Sequence, residues 1–68
     1  MNQYLLKGEF RKKGYKQADF AQKVGISPSR FSAKLNEHPG ATFTVPEIKA
    51  IEALLELTPE ATYEIFLS

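Results

Sequence analysis

Residues 16–36 read KQADFAQKVGISPSRFSAKLN, and the way this stretch divides decides the fold. Phe20, Ala21 and Val24 recur at helical spacing, so 16–24 reads as a short amphipathic helix closed by Gly25. Gly25-Ile26-Ser27 is followed by Pro28. A serine before a proline is a helix start: the hydroxyl caps free N–H groups, and proline at the first helical position has none to lose. Phe31 and Leu35, four apart, then form the inward pair of the next helix. So short a link makes the two helices cross steeply, as in a helix-turn-helix. Ala21 is small where the helices cross, Gly25 supplies the turn conformation, Ile26 plugs the corner and Phe31 anchors the second helix.

The other face of 27–36 lacks bulk. Ser29, Ser32, Ala33 and Asn36 fall at i, i+3, i+4 and i+7, whereas solvated helix faces are normally rich in Glu, Lys and Gln. A helix that enters the DNA major groove, about 12 Å wide, benefits from such a face. The hydroxyls of Ser29 and Ser32 can donate to or accept from base edges. Ala33 can touch a thymine methyl, and Pro28 offers apolar contact where the helix begins. Arg30 and Lys34, four apart on the flanks, are placed for phosphates. Lys16 and Gln17 can meet a phosphate at the start of the preceding helix, and Asn36 can do so from the far end. Taken singly these are ordinary surface residues, as is His38 in its loop, and Tyr15 reads as a core plug. It is their coincidence that carries the functional reading.

Helical periodicity extends along the chain, and no repeat, low-complexity segment or β-type alternation interrupts it. Residues 3–13 place Leu6 and Phe10 on one stripe before Gly14 as a C-cap glycine. Residues 37–43, EHPGATF, form a Pro-Gly loop. Thr44-Val45-Pro46-Glu47 matches a capping box and opens a helix with the stripe Ile48, Ile51, Leu54 and Leu55. Thr58-Pro59-Glu60 starts a last short helix carrying Ile65 and Phe66. The expectation is one all-α domain over 1–68, a compact five-helix fold with its helix-turn-helix at about 16–36.

Sixty-eight residues form a small domain whose stability rests on an apolar core, alone or with a partner subunit. With no cysteine and one histidine, neither a disulfide framework nor a structural zinc site is expected. The longest apolar runs are three residues, far short of the roughly 20 a membrane span needs. With no cleavable apolar leader in view, the chain reads as cytoplasmic. A net charge of +1 conceals a division. Residues 1–36 carry eight Lys/Arg against two acids, and residues 37–68 carry one lysine against six glutamates. The basic half could face a polyanion while the acidic half faces elsewhere.

The stretch KQADFAQKVGISPSRFSAKLN resembles the helix-turn-helix of lambda-repressor-like proteins, the Cro/CI-type phage repressors and their bacterial relatives. The matching residues are Gln17, Phe20-Ala21, Gly25-Ile26-Ser27, Phe31 and Asn36. Residues 42–60, TFTVPEIKAIEALLELTPE, are similar to the segment in which that family's fourth helix leads into its fifth. The resemblance implies a five-helix, Cro-like transcriptional repressor without a second regulatory domain. It would bind double-stranded operator DNA as a homodimer in a bacterial cell, at the nucleoid, with the third helix in the major groove. By position, Pro28, Ser29, Ser32 and Ala33 would face bases, while Gln17, Arg30 and Asn36 would serve phosphates or orient neighbours. Two departures bear on this. Lys34 stands where many relatives have an apolar core residue, with Leu35 beside it, and Glu37 stands where they usually have glycine. The base-facing set also holds no Gln, Asn or Arg, the side chains suited to bidentate readout, so specificity leans on methyl contacts, hydroxyls and DNA deformability.

The competing reading is a protein-binding antirepressor, which keeps the fold but masks another repressor. The acidic second half and the terminal Ile65-Phe66-Leu67 would suit such an interface. No enzyme is expected, and hence no catalytic residue, cofactor or metal: there is no Cys–His pair, and Glu52, Glu56 and Glu60 fall on exposed helical positions rather than converging. A membrane-surface role is disfavoured because no helix pairs a strongly basic face with a bulky apolar one.

Overall fold

Each helix but one begins where a short polar side chain can take up free backbone donors. In the computed structural model, which describes residues 1–67, the elements are α1 (Gln3–Lys12), α2 (Gln17–Val24), α3 (Pro28–Leu35), α4 (Val45–Leu55) and α5 (Pro59–Phe66). No strand occurs among the described residues. Asn2 caps α1, Ser27 caps α3, and Thr58 caps α5 by accepting from the Ala61 N–H at 3.1 Å. Thr44 and Glu47 complete a reciprocal capping box at α4. The exception is α2, whose preceding residue Lys16 makes no side-chain cap.

The ends of α1 to α4 are alike. An N–H just past each turn reaches back to a carbonyl in the last stretch of its helix, from Tyr15 to Phe10, Ile26 to Ala21, His38 to Ala33 and Leu57 to Glu52, at 2.9–3.1 Å. This closure needs one residue in the left-handed region. Gly14 and Gly25 supply it at φ +88° and +92° after α1 and α2, while Glu37 and Glu56 supply it at +55° and +52° after α3 and α4. An L-residue there costs about 1–2 kcal/mol. Gly14 lies one residue beyond the cap, which is Lys13 itself.

The core joins all five helices. Leu6, Phe10, Phe20, Ala21, Phe31, Leu35, Ile51, Leu55 and Ile65 are almost wholly buried, and Ile26 closes the α2–α3 corner. Phe10 stacks on Phe20 with ring centres 5.1 Å apart, and Phe31 meets both edge-on. The aromatic chain continues through Phe43 to Phe66. Each fully buried side chain of this kind contributes about 1.5–3 kcal/mol. Tyr15 packs against Phe20, a half-buried plug as its position suggests. The N-terminus is tied to α5 by the Asn2 N–H donating to the Ile65 carbonyl.

Candidate nucleic-acid interface

The α2–α3 link presents the outer face of α3. Gly25 turns the chain, the Ile26 side chain enters the core, and the Ser27 hydroxyl accepts from the Arg30 N–H at 3.3 Å. Phe31 and Leu35 hold the inner face down, so Pro28, Ser29, Arg30 and Asn36 are exposed and Ser32 and Ala33 half-buried on the outer side. The small-residue stripe therefore exists as a surface. Within it the Asn36 side-chain amide donates to the Ser32 hydroxyl at 3.4 Å. Arg30 and Ala33 also face a groove whose opposite wall is the loop residues Pro39, Gly40, Thr42 and Thr44, a neighbourhood that the Pro-Gly signal marked only as a turn.

Lys34 departs from its expected role. The residue is 7% exposed, and its ammonium donates to both oxygens of Glu47, at 2.6 and 2.8 Å. An ammonium enclosed and paired in this way cannot also reach a phosphate on a groove wall, so Lys34 leaves the phosphate set. The departure has a simple geometric cause: three residues past Phe31 and one before Leu35, position 34 falls on the packed side of a short helix. Lys16, Gln17, Arg30 and Asn36 keep positions compatible with phosphate contact; Lys16, Arg30 and Asn36 are exposed and Gln17 half-buried at the first turn of α2.

The Glu47 role was hidden behind its local one. Its N–H donates to Thr44 Oγ1 while its carboxylate accepts from the Thr44 N–H at 2.9 Å, as a capping box requires, and the same carboxylate holds Lys34. Burial pushes the Glu47 carboxyl up. The hydrogen bonds from Lys34 and from the Thr44 backbone, with the Lys34 charge, outweigh this and leave it below its ordinary value. Glu52, expected on an exposed face, is instead half-buried and accepts from the Thr62 hydroxyl at 2.8 Å.

Charge is also redistributed by pairing. In and after α1, Lys12 meets Glu9 and Lys13 meets Glu56, which neutralises part of the first half's basic excess internally. On α2 and α3, Lys23 and Arg30 carry no ion pair among the described residues, nor does Lys16 at the head of α2. Lys7 and Arg11 on α1 and Lys49 on α4 are likewise outside any ion pair among the described residues, so unpaired cations flank the helix-turn-helix without being confined to it. Away from it, Val45, Ile48, Phe66 and Leu67 line an apolar groove between α4 and α5 with Lys49 and Glu52 at its edges. Val45 and Leu67 are 65% and 69% exposed there.

Among the described residues no cluster of His, Asp or Glu has the arrangement of a metal site, and no helix is long and apolar enough to cross a membrane. No protein-family profile matches the chain, and neither characterised proteins nor solved structures provide a significant match.

Proposed function

We propose that the chain is a sequence-reading DNA-binding regulator of transcription, a Cro-like repressor that places α3 in the major groove of operator DNA. The supporting observation is the two-sided character of α3. Its inner side is held by Phe31, Lys34 and Leu35, while its outer side offers only Pro28, Ser29, Ser32 and Ala33, with Arg30 exposed at the flank. That is close-approach geometry with a cation at its edge. Pro28, Ser29, Ser32 and Ala33 meet base edges in this reading, and Lys16, Gln17, Arg30 and Asn36 meet phosphates. The site of action is the bacterial cytoplasm, at the nucleoid. A homodimer doubles the half-site, and the apolar α4–α5 groove is the surface available to it: under a two-fold axis Lys49 of one copy can face Glu52 of the other.

The same exposed groove supports a second reading, an antirepressor that docks on another repressor through Val45, Phe66 and Leu67. Selection of duplexes from a randomised pool, followed by fluorescence anisotropy, separates the two. A repressor enriches a (pseudo)palindrome, and its affinity falls steeply between about 50 and 200 mM salt. Arg30→Ala weakens all duplexes together, whereas changes at Ser29 or Ala33 alter preference between sequences. Failure to retain any duplex at the low end of that salt range rejects the repressor reading and favours the antirepressor.

A further inference from the structure

We infer that the Lys34–Glu47 pair is a positioning device that sets the roll of α3 toward DNA, and so governs sequence preference more than stability. The inference rests on the DNA-binding reading.

Lys34 sits on the packed side of α3 beside Phe31 and Leu35, where an apolar side chain would fill the same space. Removing an ammonium and a carboxylate from water is costly, and their attraction offsets that cost only roughly, so a buried pair is close to neutral against an apolar replacement. What the pair adds is direction. The carboxylate it grips is itself immobilised: Glu47 accepts from the Thr44 N–H and donates its own N–H back to Thr44, within the first turn of α4. That helix is in turn seated in the core by Ile51 and Leu55. Lys34 therefore attaches α3 to a fixed point on a different helix.

The remaining attachments of α3 are of another kind. Phe31 meets Phe10, Phe20 and Phe43, all through apolar surface. These edge-on, close-packed rings limit the roll as well as the separation of α3, and Lys34, three residues further on, adds a polar attachment that ties the roll to a second helix. At the side-chain radius of a helix, about 5–6 Å, a roll of about 20° moves a side-chain tip about 2 Å. Hydrogen-bond lengths vary over only about 0.5 Å, so a roll of that size exchanges one set of base contacts for another. Ser29, Ser32 and Ala33 are short and cannot extend to recover a lost contact, which makes their reading sensitive to roll.

The test is the double variant Lys34→Met/Glu47→Gln, which removes both charges, keeps the volume of the buried chain and leaves a residue at 47 that can still complete the capping box. Leaving no carboxylate at 47 also prevents Arg30, which borders the same depression as Glu47, from being captured there. Thermal unfolding, affinity for a random duplex and affinity for the duplex selected by the wild type are measured together. The expected result is an unfolding midpoint within a few degrees of wild type, random-duplex affinity within about threefold, and a selected-to-random ratio reduced at least about tenfold. A retained ratio overturns the inference, as does an equal loss on both duplexes or a collapse in stability. If the wild type itself selects no duplex, the DNA-binding reading fails first and this inference falls with it; a selective wild type beside an equally selective variant rejects the inference alone.

Discussion

The links α2–α3 and α4–α5 are built on one plan and carry different surfaces. Gly25-Ile26-Ser27-Pro28 and Glu56-Leu57-Thr58-Pro59 each run from a left-handed residue through an apolar plug and a hydroxyl cap to a first-position proline. The closing bonds match as well: Ile26 reaches Ala21 at 2.9 Å and Leu57 reaches Glu52 at 3.0 Å. The helices beyond the two links diverge. α3 carries small side chains and Arg30, whereas α5 carries Glu60, Tyr63 and Glu64 and leads to the exposed Leu67. The likeness is confined to the links, since α3 packs on α2 whereas α5 packs on α1. Under the proposed DNA-binding reading, it is side-chain size and charge that suit α3 rather than α5 to a nucleic-acid groove, because the groove admits what is narrow and attracts what is positive.

The comparison breaks most completely at the anchor. Phe31→Ala removes a fully buried ring that touches three other aromatic rings and should cost about 3–5 kcal/mol, which unfolds much of so small a domain. Phe66→Ala, at the half-buried end of the aromatic chain, should cost clearly less; urea titration followed by circular dichroism ranks the two.

The left-handed positions should respond with opposite signs. Gly25→Ala places a Cβ at φ +92° and should destabilise by about 1–2 kcal/mol, although nothing lies close enough for that Cβ to strike. Glu56→Gly relieves the same conformation and should raise the thermal midpoint slightly, despite losing the exposed contact with Lys13. A fall on Glu56→Gly would mean that the Lys13 contact outweighs the backbone relief. The two caps should behave alike, Ser27→Ala and Thr58→Ala each costing about 1 kcal/mol in the same urea assay. A large inequality would show that one link is held by its tertiary setting rather than by its own plan.

The gentlest effect is a slope in pH. Glu47 has a folded-state value below its ordinary 4.5, so its contribution is fully present above about that pH and is lost as pH falls through the lowered folded value. Glu56, lowered by the hydrogen bond and charge of Lys13, acts in the same direction. Urea midpoints measured from about pH 7 to about pH 3 should therefore decline below about 4.5, and Glu47→Gln should flatten part of that decline on the α4 side.

Most of the fold was legible because it is local. Ser27-Pro28, Thr44-x-x-Glu47 and Thr58-Pro59 declare helix starts through bonds spanning three residues, and Gly14 and Gly25 declare ends through a single backbone conformation. The α3 stripe was legible for the same reason, since helical spacing alone separates Ser29, Ser32 and Ala33 from Phe31 and Leu35. Lys34 and Glu52 were not. Spacing offered Lys34 to a phosphate and Glu52 to water, and packing gave them Glu47 and Thr62 instead. Likewise nothing local announced that Glu56 would take the conformation glycine takes elsewhere in the chain, whereas at Glu37 the resemblance had already marked a glycine position.

The order of residues was thus enough to decide where the helices begin and end, that α2 and α3 cross through a tight link, and that α3 has one face without bulk. These follow from interactions within about four residues, whose outcome the chain carries wherever it goes. Packing decided which charges are free. Lys34 meets Glu47 13 residues away and Lys13 meets Glu56 43 residues away, while Lys16, Lys23 and Arg30 are left around the helix-turn-helix. A charged side chain settles between water and a partner by weighing desolvation against attraction, and both quantities exist only once packing has brought distant residues together.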